Sequence, residues 1–313
     1  MRHDPDPQAD VVVVGSLNRD LVCYLDRWPG VGETVTAHET RFGTGGKGAN
    51  QAAAAARMGS RTLFVGAIGD DAFGADAERD LSGFGVSLAL RKIAGATTGL
   101  AFIDVGPDGG NLIRIVQGAN ALLGADAIVD NHLAIRSAKV VLLQNETAVA
   151  TAIAVALCAR TGGAVVVMDP APAPGPMWSA DVISHFDILT PNPTEAGLIT
   201  GVTPTNLTEG LRVAHVLAEM TRLGAVVTMG ENGVAWVLEG SAGSMICPHV
   251  RAIDTVAAGD CFNGAFAAGL AQGRSYADAI EFAVHAAALA TTRKGAIDSL
   301  PLRDEVMHSL ARI

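Results

Sequence analysis

Short apolar runs recur along the chain at 11–14, 62–67, 140–143, 164–168, 187–190 and 225–229, and helical patterns at 49–58, 72–81, 147–160 and 208–223 fall between several of them. This alternation constrains the fold more than any other feature. Runs without polar alternation suit strands covered on both faces. Parallel neighbours also need right-handed crossovers, which the intervening helices can supply. The expected fold class is therefore α/β, a doubly wound, mainly parallel sheet flanked by helices, with ligands at the carboxyl ends of its strands. Two later helices, 259–272 and 277–292, are expected to cover it. At 313 residues, 49% of them hydrophobic and 17% charged, the chain can bury one large core. No repeat or long linker marks a second domain, so residues 1–313 read as a single unit.

Two segments, 21–42 and 99–116, break the alternation. Each reads as a strand pair interrupted by a turn, Trp28-Pro29-Gly30 in the first and Gly106-Pro107-Asp108-Gly109-Gly110 in the second. They are either edge hairpins of the main sheet or a small sheet of their own, for which Val22, Tyr24, Leu100, Phe102, Ile113 and Ile115 offer an apolar face.

A net charge of -10 argues against nucleic-acid and anionic-membrane partners. No stretch reaches the roughly 18 apolar residues of a membrane span, and Met1-Arg2-His3-Asp4-Pro5-Asp6-Pro7 lacks the apolar segment of a signal peptide, so a cytoplasmic location is expected. Cys23, Cys158, Cys247 and Cys261 lack metal or disulfide spacing and read as free thiols.

Two glycine-containing segments carry the chemistry. Asp254-Thr255-Val256-Ala257-Ala258-Gly259-Asp260 runs straight into the apolar stretch that begins at Cys261. Small residues there let backbone approach a ligand, and the unpaired N–H groups of a first helical turn attract anions. Asp260 at that turn could accept a proton from an attacking hydroxyl next to a phosphoryl group, or it could simply cap the helix. Gly43-Thr44-Gly45-Gly46-Lys47-Gly48-Ala49-Asn50-Gln51 opens the alanine run 52–56. It is no Walker loop, because Gly48 stands where Ser or Thr would hold magnesium. Gly43, Gly45 and Gly48 fit a dinucleotide fingerprint, but the residues before them are polar and alternating rather than a buried parallel strand.

Together, Gly45 to Ala52 and Asp254 to Gly264 resemble the two signatures of the ribokinase-like family of carbohydrate kinases, also called the phosphofructokinase B type. The likeness continues through Gly15-Ser16-Leu17-Asn18-Arg19-Asp20, Gly32-Glu33-Thr34-Val35, Gly118-Ala119-Asn120, Asp169-Pro170-Ala171-Pro172-Ala173, Pro191-Asn192-Pro193-Thr194-Glu195 and Thr292-Arg293-Lys294-Gly295-Ala296. It is strongest to the branch for which the family is named. The resemblance implies transfer of the γ-phosphoryl group of ATP to a primary hydroxyl of a small sugar, D-ribose first and another pentose, a deoxysugar or a nucleoside next. A non-catalytic sensor on the same fold and a nicotinamide-dependent oxidoreductase are the readings from other classes.

Residue by residue, the resemblance makes Asp260 the catalytic base and Ala257, Ala258 and Gly259 the anion hole. Asn18, Asp20, Gly46, Lys47, Asn50 and Glu146 become sugar contacts, although Gln144-Asn145 before Glu146 departs from the family pattern. Asn192, Glu195, Thr228, Gly230, Gly233 and His285 fall on the nucleotide side, with Mg2+ organised by the first two. A K+-type site is implied at Asp254, Val256, Ala290, Arg293, Gly295 and Ser299. The segments 21–42 and 99–116 become a small β lid that also pairs two subunits as a homodimer.

Overall fold

The computed structural model describes residues 9–107, 110–173 and 178–311. Residues 1–7 and part of the turn at 106–110 therefore lie outside the described residues. The first half of the chain forms β1 (Val11–Val14), β2 (Asn18–Tyr24), β3 (Glu39–Gly45), α1 (Lys47–Arg57), β4 (Thr62–Gly69), α2 (Ala72–Gly83), β5 (Ser87–Ile93), β6 (Gly99–Val105), β7 (Asn111–Val116) and α3 (Ala125–Ser137). Then follow β8 (Val140–Gln144), α4 (Val149–Arg160), β9 (Val165–Asp169), α5 (Ala180–Ile183), β10 (Ile188–Leu189), α6 (Pro193–Thr200), α7 (Leu207–Ala218) and β11 (Gly224–Thr228). The chain closes with β12 (Val234–Leu238), β13 (Ser241–Met245), α8 (Ala258–Ala271), α9 (Tyr276–Ala290) and α10 (Arg303–Leu310).

The main sheet has nine strands in the order β13-β12-β11-β10-β9-β8-β1-β4-β5. It is parallel from β5 to β11 and antiparallel at β12 and β13. Strand order reverses at β1, which pairs β4 on one side and β8 on the other. All four valines of β1 are buried: Val11 and Val13 join the layer containing α1, α8 and α9, whereas Val12 and Val14 join the layer containing α3, α4 and α7. Burial on both faces is why that strand shows no polar alternation, and each fully buried valine stabilises the fold by roughly 1.5 kcal/mol or more.

The expected strand at 187–190 shortens to Ile188–Leu189. Asp187 Oδ2 accepts the Val166 N–H at 2.8 Å, so a side chain takes a place that a ladder carbonyl would fill. Strands β5 and β13 were not foreseen because they are partly exposed and lack a clean apolar run, whereas β12, Val-Ala-Trp-Val-Leu and fully buried, carried such a run that the reading passed over.

The segments 21–42 and 99–116 do not join the edge of the main sheet. Their strands form a separate four-stranded sheet in the order β3-β2-β6-β7. The expected single apolar face is split: Leu100 and Phe102 register with Val116 and Arg114 on one face, whereas Val22 and Ile113 register with Ile103 on the other, together with Tyr24 and Ile115. Phe102, Ile113 and Ile115 are exposed, and Val22, Tyr24 and Leu100 are half-buried. Glycine 45 is thus the last residue of a strand antiparallel to β2. A dinucleotide fingerprint would follow a buried parallel strand, so this context removes that reading.

Helices α1 and α8 lie against each other through small side chains. Ala52, Ala53, Ala54 and Ala55 of α1 are fully buried, and a Cβ on Gly264 of α8 would stand 2.5 Å from the Gln51 carbonyl oxygen and 2.5 Å from Ala54 Cβ. That close approach brings the start of α8 beside the first turn of α1.

Candidate active site

The starts of α1 and α8 meet at the carboxyl ends of the main-sheet strands. At the start of α1, Gly46 holds φ 88° as the capping residue, and the Ser16 carbonyl beyond β1 accepts the Ala49 N–H at 3.0 Å. At the start of α8, Ala257 adopts φ 59°, a left-handed conformation that costs a residue with a Cβ roughly 1–2 kcal/mol. Among the described residues, only Glu239 shares a positive φ without being glycine. The turn at Ala257 leaves the N–H groups of Gly259 and Asp260 without a protein partner among the described residues. Gly259 is exposed, and a Cβ there would meet nothing within 4 Å. Such a place suits an anion.

Asp260 is buried and held by the two polar residues that open α1. Asn50 Nδ2 donates to Asp260 Oδ2 at 2.9 Å, and Gln51 Nε2 donates to Asp260 Oδ1 at 3.1 Å. Asn50 Oδ1 is buried without a partner, an acceptor aimed at nothing in the protein. Lys47 stands among four carboxylates. Burial pulls its ammonium down, but Asp260, Asp169, Glu146 and Glu195 outweigh that and hold it above the usual lysine range.

A cavity of about 240 Å³ is lined by Ser16, Asn18, Ile115, Gln117, Asn120, Glu146 and Pro172. Ile115 belongs to β7, so the small sheet supplies one wall. Asn120 Nδ2 donates to Asn18 Oδ1 at 2.8 Å, and Glu146 accepts both the Ser16 hydroxyl and, at 3.0 Å, the Lys47 N–H. A second, larger depression of about 490 Å³ borders Gly59, Gln272, Arg274 and Arg303 at the opposite end of α1, away from these carboxylates.

No donor among the described residues bonds the Asp20 carboxylate. Burial, then Glu146 and Asp260, push it up to about 7 against the pull of Arg19. Folded Asp20 therefore holds its proton more tightly than the unfolded chain does, and stability falls as pH rises from near 4 to near 7. Asp20→Asn, which keeps the neutral shape, should raise the apoprotein's Tm by several degrees at pH 8 and by clearly less at pH 5. Thermal unfolding at both values checks this, and an equal shift at both would contradict it.

The remaining expected positions divide by place. Asn192 caps α6, donating from N and Nδ2 to Glu195 at 2.8 Å each and accepting the Glu195 N–H at 3.0 Å. Burial raises the Glu195 carboxyl, opposed by those Asn192 bonds. Thr228 ends β11, and Gly230 and Gly233 frame the turn into β12. Asp254 clips two loops together, accepting the Val256 N–H and the Gly295 N–H at 3.0 Å each. The Ala290 carbonyl accepts the Arg293 N–H at 3.2 Å, the Arg293 side chain pairs with Glu305, and the Ser299 hydroxyl donates to the Ala296 carbonyl. His285 is the exception. Its ring is buried and bonds Ser309 of α10 at 2.8 Å, so it serves packing between α9 and α10 and joins none of the other candidates.

Residues 8–303 match the pfkB family of carbohydrate kinases. The chain belongs to that family. A ribokinase of Haemophilus influenzae is 35% identical over 96% of this pfkB-family chain and 98% of its own length. A deoxyribokinase of Salmonella typhi is 33% identical over 93% of this chain and 95% of its own. Among solved structures, Arabidopsis thaliana ribokinase complexed with ribose and ATP superposes with a TM-score of 0.87 at 33% identity, covering 97% of this chain and 99% of that one.

The structure also gathers residues that the sequence reading of this pfkB-family kinase left out of the site. Ser16, Gln117 and Asn120 line the cavity, and Gln51, Gln144 and Asp169 form a buried chain of hydrogen bonds under Asp260. A glutamine at the head of an alanine run, and polar residues at the ends of two apolar strands, were the available signals. Each also suits a turn or cap.

Proposed function

We propose that the chain is an ATP-dependent sugar kinase that phosphorylates the primary hydroxyl of D-ribose, as a single kinase domain whose segments 21–42 and 99–116 form a lid. One observation carries this reading: the Asp260 carboxylate opens α8 beside unpartnered N–H groups and is held by Asn50 of α1, whose first residue, Lys47, donates its N–H to Glu146 on the wall of the sugar-sized cavity. The relatives named as ribokinases, and the neighbour complexed with ribose and ATP, support the choice of substrates. The cavity of about 240 Å³ favours one small ring over a nucleoside, since sites for drug-sized ligands span roughly 300–1,000 Å³.

In the proposed reaction the sugar hydroxyl gives its proton to Asp260 and attacks the γ-phosphorus. An oxygen–phosphorus bond forms to the sugar as the bond to ADP breaks. The loose transition state demands positioning and charge neutralisation more than a strong base. The N–H groups of Gly259 and Asp260 would hold the transferring group, with Ala257 and Ala258 shaping that turn, while Lys47 supplies positive charge. Asn18, Asp20, Gly46, Asn50 and Glu146 would orient the sugar, with the buried Asn50 Oδ1 ready to accept a hydroxyl. Thr228, Gly230 and Gly233 would border the nucleotide. The small sheet would exclude water that could otherwise hydrolyse ATP.

Mg2+ fits the Asn192–Glu195 pair only with help from phosphates and water. Among the described residues no group of three or more His, Cys, Asp or Glu could hold a metal ion, and both Glu195 oxygens already accept hydrogen bonds. When bound, the ion would neutralise the phosphate oxygens. A K+ ion fits the second set through Asp254 and the carbonyls of Val256, Ala290, Arg293 and Gly295, with Ser299 beyond them, because carbonyl-rich sites suit large monovalent ions. It would steady the 254–259 loop electrostatically. The exposed Phe102, on the face of the small sheet opposite Ile113 and the cavity-lining Ile115, supports a homodimer through the lid. Among the described residues no helix is long and apolar enough to cross a membrane, in keeping with the proposed cytoplasmic location.

Because a deoxyribokinase is nearly as similar as the ribokinases, the 2-hydroxyl decides the substrate. Losing one hydroxyl leaves a buried polar group unpaired at about 1–3 kcal/mol, so D-ribose should exceed 2-deoxy-D-ribose by about tenfold or more in kcat/KM. Steady-state kinetics on both sugars and adenosine test this. A preference for 2-deoxy-D-ribose or adenosine would replace the ribose assignment.

A further inference from the structure

Gln51 is fully buried at the head of α1 and makes three hydrogen bonds. Its Nε2 donates to Asp169 Oδ2 at 2.8 Å and to Asp260 Oδ1 at 3.1 Å, and its Oε1 accepts Gln144 Nε2 at 2.7 Å. Two acceptor carboxylates on one side and an amide donor on the other leave the Gln51 side chain a single orientation. Gln144 and Asp169 are register partners at the ends of β8 and β9. Registered residues on adjacent parallel strands share a face of the sheet, about 4.8 Å apart. Gln144 Oε1 leans to the other side, within 1.9 Å of where a Cβ on Gly15 would stand, and is buried without a donor among the described residues.

We infer that Gln51 is the positioning residue for Asp260, and that Asp169 and Gln144 in turn fix Gln51. The inference rests on the reading of Asp260 as the base. Asp169 Oδ2 takes one Gln51 N–H and Gln144 presents a donor to its oxygen, so the second Gln51 N–H can only turn toward Asp260. Asp260 is then gripped through both oxygens by Asn50 and Gln51, adjacent residues of one rigid helix, which fixes its carboxylate at the start of α8.

The test separates kcat from KM and adds rescue by a conservative variant. Gln51→Ala should lower kcat by roughly 10–10²-fold, the scale of a small misplacement of a reacting group, with KM for ATP within about threefold of native. Asp169→Ala should show the same pattern. Asp169→Asn still offers a carbonyl to Gln51 and should recover most of what Ala loses. An Asn variant no better than Ala, or unchanged kcat in Gln51→Ala, overturns the inference. Absence of any phosphoryl transfer by the native protein would instead overturn the assignment of Asp260 as base.

Discussion

Asp260→Asn is expected to bind ATP with near-native affinity and to turn over roughly 10²–10⁴-fold more slowly, the range for loss of a general base. The substitution keeps the volume of the side chain, so the start of α8 and its free N–H groups should persist. Two changes act together at the reacting end. The amide no longer takes up the hydroxyl proton. It also presents only one oxygen to the two donors that now hold the carboxylate, Asn50 Nδ2 and Gln51 Nε2, so one of them is left facing an N–H. Calorimetric titration with ATP and steady-state kinetics on the same preparation separate binding from turnover. Near-native kcat would remove Asp260 from the chemistry, whereas loss of ATP binding would mean that the residue maintains the helix start.

Gly264→Val should disturb both stability and catalysis. A single Cβ at this position already falls 2.5 Å from the Gln51 carbonyl oxygen, and the helices cannot separate without moving the buried alanines of α1. Overpacking of this kind typically costs about 1–3 kcal/mol, which denaturant unfolding would record as a lower midpoint at an unchanged slope. The catalytic loss should be larger than stability alone explains, because the displaced surface carries Asn50 and Gln51 toward or away from Asp260. A Gly264→Val protein of native stability and native kcat would show that the α1–α8 spacing does not set the site.

The central strands were legible because burial on both faces erases polar alternation, as in Val11–Val14. Edge elements were not, since β5 and β13 have no such run; β10, inside the sheet, was expected and is only shorter than its apolar run. The two motif-bearing helix starts were legible from glycine and alanine next to Lys47 and Asp260. What sequence could not give was side-chain pairing across long separations: Gln51 meets Asp169 and Asp260 only because small residues let α1 and α8 approach. His285 shows the opposite limit, a polar residue on an alanine-rich helix whose partner, Ser309, comes from a helix that periodicity did not mark.

The most direct test of the account is to incubate the protein with ATP, Mg2+ and D-ribose and follow the products by phosphorus NMR. The account predicts one ADP per phosphate monoester formed, with the ester phosphorus coupled to the two protons of the primary carbon of ribose. ADP formed with free phosphate and no ester, or an ester on a secondary hydroxyl, would contradict it.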